Sequence, residues 1–161
     1  MKALLIIDVQ ENLMTRKLYN KDRFIASINS AIKQCRTKNY QIIFMQHNNK
    51  FLIQGEFDWQ IYSHLDQEKN DVILQKTQSN AFQENDFITL CDNRNINEFF
   101  VCGLVSHGCI RATCLGGIKQ GHTIKLLKDG HSNWAKDAKD KIAMVEKKLR
   151  KEKVEITDRI D

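Results

Sequence analysis

"EFFVCGLVSHGCIRATCLGG" (98–117) holds the information that decides the fold. Its first seven residues, 98–104, form an apolar run of strand length. From about His107 to Gln120 the chain reads as a helix. A strand that passes almost directly into a helix is half of a parallel βα unit. The same alternation extends in both directions. Before it come the strands "ALLIID" (3–8), "YQIIFMQH" (40–47) and "DVILQK" (71–76). Between the first two, "RFIASINSAIKQCR" (23–36) lines up Phe24, Ile28, Ala31, Ile32 and Cys35 on one helical face. Residues 48–68 read as a long loop with a single helical turn, and "FITLCDN" (87–93) as a short helix. After the central stretch come the strand "HTIKLLKD" (122–129), a helix over 135–151 with Ala138, Ile142, Val145 and Leu149 in a stripe, and the strand "VEIT" (154–157).

Strand and helix alternate without repeat or linker, so residues 1–161 read as one α/β domain. Near-continuous apolar strands imply a parallel sheet covered on both faces, a three-layer α/β/α arrangement. Six strands with right-handed crossovers fit a doubly wound sheet of order 3-2-1-4-5-6.

Composition narrows the function. The chain of 161 residues carries 25 Lys and Arg against 20 Asp and Glu, a net charge of +5. The densest basic run, "EKKLRKEK" (146–153), contains acids and lies on a helical pattern. It reads as a solvated helix face, and no nucleic-acid partner is expected. No apolar run reaches the ~18 residues of a membrane span, and "MKALLIIDVQ" lacks a signal-peptide cleavage site. Five cysteines with no CxxC spacing suggest free thiols in a reducing, cytoplasmic setting. The chain has no proline.

In a doubly wound sheet, ligands bind outside the carboxyl ends of the strands. Asp8 ends the first strand, Lys76 ends the third and Cys109 follows the fourth. These three side chains are therefore expected at one sheet edge. A thiol at a helix start beside a Lys is expected to have a lowered pKa. A nearby Asp could exchange the thiol proton, and helix-start N–H groups could hold an oxyanion. Such a set suits acyl transfer from an amide through a thioester.

"LLIIDVQENL", "QKTQSNAF" and "VCGLVSHGCIRATCLGG" resemble the three signature blocks of the isochorismatase-like cysteine hydrolases, in the same order and rough spacing. The likeness extends to "LLKDGHSNW". The resemblance implies a catalytic triad of Asp8, Lys76 and Cys109. It also implies a cis peptide between Leu104 and Val105, an oxyanion hole of the Val105 and Cys109 N–H groups, and a homo-oligomer. Presence of Cys109 points to amide or imide substrates rather than a vinyl ether.

Two departures from the family pattern are informative. Nicotinamidases resembling this chain carry an Asp-x-His metal motif after strand 2. "MQHNN" puts Met45 in place of the Asp and leaves only His47, with His64 downstream. Two imidazoles without a carboxylate make a poor site, so neither a metal nor another cofactor is expected. An aromatic that the family places after the catalytic Asp is here Leu13, which disfavours aromatic-ring substrates.

Leu13, Trp59 and His107 are the candidate pocket residues. A Cys109–His107 pairing is disfavoured because side chains two apart on a tight turn diverge. Asp129 and His131 are expected to cap the next helix rather than shape the pocket. Cys102 and Cys114 are expected in the core. The first reading is thus a cysteine amidohydrolase acting on a small carboxamide. The alternatives are a thiol redox sensor, with Cys102 or Cys114 resolving an oxidised Cys109, and an idle binding member of the same fold. Retention of all three triad residues favours the enzyme.

Overall fold

The computed structural model describes residues 1–161. Its sheet has the strands β1 (Lys2–Ile7), β2 (Gln41–His47), β3 (Val72–Lys76), β4 (Glu98–Leu104), β5 (Thr123–Ser132) and β6 (Glu155–Thr157). They are ordered β3-β2-β1-β4-β5-β6, and every pairing is parallel. The expected topology is therefore the observed one. The helices are α1 (Glu11–Met14), α2 (Lys21–Thr37), α3 (Asn85–Asn93), α4 (Arg111–Lys119) and α5 (Ala138–Lys151).

Period-two alternation in β1 sorts its side chains between two cores. Ala3, Leu5 and Ile7 join Phe87, Cys91, Cys114, Val145 and Leu149 beneath α3, α4 and α5. Leu4 and Ile6 join Phe24, Ile28, Ala31, Ile32 and Cys35 of α2. No helix is long and apolar enough to cross a membrane.

Three details differ from the sequence reading. The short α1 was not expected. The chain after β4 first forms a kinked turn, Ser106–Ile110, non-helical at Gly108, and becomes regular helix only at Arg111. β5 runs three residues past Asp129. Its register against β4 jumps from Val101↔Leu126 to Gly103↔His131, a wide bulge. Gly130 permits the re-entry, since a Cβ there would lie 2.7 Å from Leu127 Cβ and 3.1 Å from Cys102 Cβ. The bulge carries His131 and Ser132 beside the end of β4. Gly103 is similarly required, because at φ +122° its Cβ would fall 2.0 Å from the Ile7 carbonyl oxygen.

Candidate active site

β1, β3 and the turn after β4 deliver Asp8, Lys76 and Cys109 to the carboxyl edge of the sheet, with Asp8 and Cys109 at the β1/β4 switch point and Lys76 on the edge strand two places away. Asp8 leaves β1 in the left-handed region, φ 57°, with its N–H donating to the Met45 carbonyl at 3.0 Å. For a residue other than glycine this conformation is costly and is commonly kept at working sites. Lys76 ends β3 opposite His47 of β2. Its ammonium is wholly buried. Nζ lies 3.1 Å from Asp8 Oδ2, 3.3 Å from Cys109 Sγ, 2.9 Å from His47 Nδ1 and 3.0 Å from the Gln78 carbonyl oxygen. An ammonium has three protons, so four neighbours compete for them. Asp8 Oδ1 is buried without a hydrogen-bond partner.

Neighbouring residues hold these groups in place. Glu84 Oε1 accepts from the N–H groups of Thr77 and Gln78, at 2.9 and 3.0 Å, fixing the turn that cradles Lys76. Thr113 Oγ1 accepts from Ala81 N–H at 3.1 Å, tying that turn to α4. Gln10 is fully buried; its amide donates to the carbonyls of His47 (3.0 Å) and Trp59 (2.8 Å), and its Oε1 accepts from His47 N–H at 2.9 Å. Trp59 Nε1 donates to Gln75 Oε1 at 3.2 Å. The long loop is thereby fastened over the strand ends.

The turn bearing Cys109 winds about one carbonyl. Gly108 and Ile110 N–H both donate to Val105 O, at 3.0 and 3.3 Å. The Leu104–Val105 peptide is cis. The Val105 N–H donates to no backbone or side-chain acceptor of the chain.

Electrostatics corrects one expectation. The Cys109 thiol is pushed up to about 11, by burial first and then by the Asp8 charge, with Lys76 pulling the other way. Asp8 is also raised, by burial, against the opposing pull of Lys76. One cation can balance one anion in this buried space and not two. Both groups are therefore pushed toward their protonated forms, and the site does not favour a standing thiolate. His47 is lowered by burial and by Lys76. It is thus neutral at pH 7 and accepts from Lys76 through Nδ1, leaving the proton on Nε2.

Of the pocket candidates, Leu13 on α1 and Trp59 in a 3₁₀ turn (Phe57–Trp59) are half-buried, and His107 is exposed. Cys109 is half-buried, whereas Cys35, Cys91, Cys102 and Cys114 are buried. Neither Asp129 nor His131 caps a helix. Asp129 pairs with Arg23 at 3.1 Å. His131 is 3% exposed and lies between Ser106 and Glu146. The N-cap of α5 is Asp137. Glu146, read as part of a solvated run, is 8% exposed. Sequence reasoning considered His47 only as a metal ligand and overlooked Ser106, Gln10 and Glu146. Glu146 lies beside Val145 and near Leu149 of the α5 stripe, but it heads a charged run, so its burial carried no local signal.

The donors do not fit a metal. The ligand atoms of Asp8, His47 and Cys109 lie within 4.8 Å of one another. Lys76 Nζ sits 2.9 to 3.3 Å from each of those residues, so a cation already fills the space they enclose. His64 is outside this group, exposed and stacked on Tyr62 at 5.0 Å.

The chain is similar to several proteins in sequence and to others in fold. Streptothricin hydrolase of Streptomyces noursei is 21% identical over 141 residues, covering 83% of this chain and 55% of that protein. A second streptothricin hydrolase of that organism is 22% identical, with 50% of its length covered. The chain thus spans about half the length of these two relatives. The uncharacterized isochorismatase family protein YddQ of Bacillus subtilis is 22% identical over 152 residues, covering 89% of this chain and 84% of that protein. Among solved structures, an isochorismatase family protein superposes with a TM-score of 0.92 at 24% identity, covering 97% of both chains. The pyrazinamidase of Pyrococcus horikoshii in complex with zinc superposes at 0.84 and 17% identity, covering 97% of this chain and 98% of that one. These superpositions speak to the fold. The isochorismatase domain model matches residues 2–158, and on that match the chain belongs to the isochorismatase family.

Proposed function

We propose that the chain is a cysteine hydrolase that cleaves the C–N bond of a small carboxamide. The observation that carries this reading is the buried Lys76 ammonium within 3.3 Å of both Asp8 and Cys109. Streptothricin hydrolase and pyrazinamidase are named for hydrolytic activities, which is consistent with it.

The geometry supports the following roles. Asp8 takes the thiol proton as Cys109 Sγ attacks the carbonyl carbon. Lys76 stays charged and balances the single negative charge as it moves from carboxylate to sulfur. The resulting oxyanion accepts from the Val105 and Cys109 N–H groups. Asp8 then gives its proton to the nitrogen, the C–N bond breaks, and a thioester remains on Cys109. Water attacks that thioester, Asp8 removes its proton, and the C–S bond breaks with return of the proton to sulfur. The net reaction is amide plus water giving acid plus amine or ammonia. Neutral His47 keeps Lys76 turned toward this pair. A redox sensor wants a low-pKa accessible thiol, and the raised Cys109 thiol does not suit that alternative.

The test is ammonia release across a panel of small aliphatic and aromatic carboxamides, with Cys109→Ala as control. Turnover of at least one amide that disappears in the variant is expected. A wild-type protein that releases no ammonia from any of them contradicts the reading.

A further inference from the structure

Behind the nucleophile turn lies a second buried polar chain that the proposed reaction does not use. Ser106 Oγ is 2.8 Å from His131 Nδ1, and His131 Nε2 is 3.1 Å from Glu146 Oε1. Ser106 is fully buried, His131 is 3% exposed and Glu146 is 8% exposed. Glu146 Oε2 lies 3.7 Å from Arg150 on the next turn of α5. None of these side-chain atoms is left buried without a partner.

The direction of the outer bond can be assigned. An ionised Glu146 only accepts, so His131 Nε2 carries a proton and donates to it. In a neutral imidazole Nδ1 then accepts from the Ser106 O–H, and in an imidazolium it donates to Ser106 Oγ; either way the contact is a hydrogen bond. Serine, histidine and glutamate form the sequence of a nucleophilic triad, but Ser106 has no surface from which to attack a substrate. Its position in the chain is what matters. Ser106 lies between Val105, whose N–H is free, and the two residues that lead to Cys109.

We propose that Ser106, His131 and Glu146 form a brace in which His131 is a positioning residue, fixing the turn so that the Val105 N–H and Cys109 Sγ face one substrate carbonyl together. Two consecutive elements supply the brace, the bulged end of β5 and the middle of α5. Both are secured independently. Ser132 Oγ donates to the Tyr19 carbonyl at 2.5 Å, and Val145 and Leu149 are in the core under α5. The turn, by contrast, is kinked, with non-helical backbone at Gly108 and the Gly108 and Ile110 N–H groups sharing Val105 O. Displacement of a reacting group by about 1 Å can cost on the order of 100-fold in rate. A brace of this kind would act on turnover more than on binding.

The brace rests on the amidase reading for its catalytic consequence, and the experiment separates the two. Ser106→Ala, His131→Leu and His131→Asn are compared with wild type in two measurements. The first is hydrogen exchange of the amides of residues 105–110, which needs no substrate. The second is steady-state hydrolysis of the amide identified by screening. In Ser106→Ala and His131→Leu, exchange across the turn should accelerate at least tenfold. Their kcat should fall roughly 10- to 100-fold with KM within about threefold. The double variant should be little worse than either single one, because both remove the same contact. His131→Asn, which can still meet Ser106, should recover part of the loss. If His131→Leu does not fold, Ser106→Ala, a change of one atom, decides the matter. Unchanged exchange across 105–110 in a folded Ser106→Ala overturns the brace. Accelerated exchange in a protein that hydrolyses no amide supports the brace while defeating the amidase reading.

Discussion

Two buried polar clusters lie on either side of the 105–109 turn, and they differ in how their hydrogen bonds are satisfied. In the first, Lys76 has four polar neighbours for three protons, and Asp8 Oδ1 has none. In the second, Ser106, His131 and Glu146 are matched donor to acceptor along the chain. A satisfied buried network rigidifies, whereas an unsatisfied one is a place where proteins do chemistry. Asp8 and Lys76 are as buried as Ser106, His131 and Glu146, whereas Cys109 and His47 are half-buried, so burial of the charged groups alone does not separate the two clusters. The mismatch of protons and acceptors distinguishes the first cluster from the second.

The comparison can be broken at several points. Cys109→Ala should abolish turnover, and adding Asp8→Asn should make little further difference, because residues acting as one unit lose rate non-additively. Additive losses in the double variant would separate Asp8 from the nucleophile. Asp8→Asn alone should cost about 10²- to 10⁴-fold in kcat/KM, as expected for a lost general acid–base. Lys76→Met strands Asp8 in the interior. Breaking a buried pair on one side costs about 3–5 kcal/mol, readable as a shift of the urea midpoint at pH 7. That deficit should shrink as pH is lowered and Asp8 becomes protonated.

A smaller effect sharpens the account of the thiols. Burial holds Cys35, Cys91 and Cys114 at about 12, against an ordinary 9.0. Raised folded values mean that the folded state holds these protons more tightly than the unfolded chain. Their contribution to stability is complete below about pH 9 and is lost as pH rises toward 12. Urea midpoints measured from pH 7 to 11 should fall steeply above 9, and Cys114→Ala should flatten that slope. The smallest effect is on metal dependence: dialysis against a chelator should leave hydrolysis unchanged. Loss of rate restored by zinc or manganese would bring His47 back as a ligand.

The sheet order was legible because parallel strands are buried on both faces, so each one appears as an apolar run. The positions of Asp8, Lys76 and Cys109 were legible because strand ends fix sequence position to a sheet edge. What was hidden depended on long-range geometry. "KDG" (128–130) carries a turn signal, and nothing local shows that β5 resumes at His131 after a bulge. Glu146 heads a charged run, and its burial follows from the phase of α5 against the sheet. The Cys109 thiol was expected to be lowered because a Lys and a helix start were visible. Burial and the proximity of Asp8, which outweigh them, were not.

The central claim is that Asp8 restrains the thiol at rest and takes its proton in the reaction. The most direct test is one substitution, Asp8→Asn, measured in two ways. Alkylation of Cys109 by iodoacetamide at pH 8, quantified by mass spectrometry, reports the thiolate. Hydrolysis reports proton transfer. With the carboxylate charge gone and Lys76 retained, the thiol pKa should fall. Alkylation should then rise by about the tenfold that one pKa unit gives, while hydrolysis falls by at least ~100-fold. The two rates should therefore move in opposite directions. If both fall together, or if hydrolysis survives in the folded variant, Asp8 is not the proton acceptor and the account of this site is wrong.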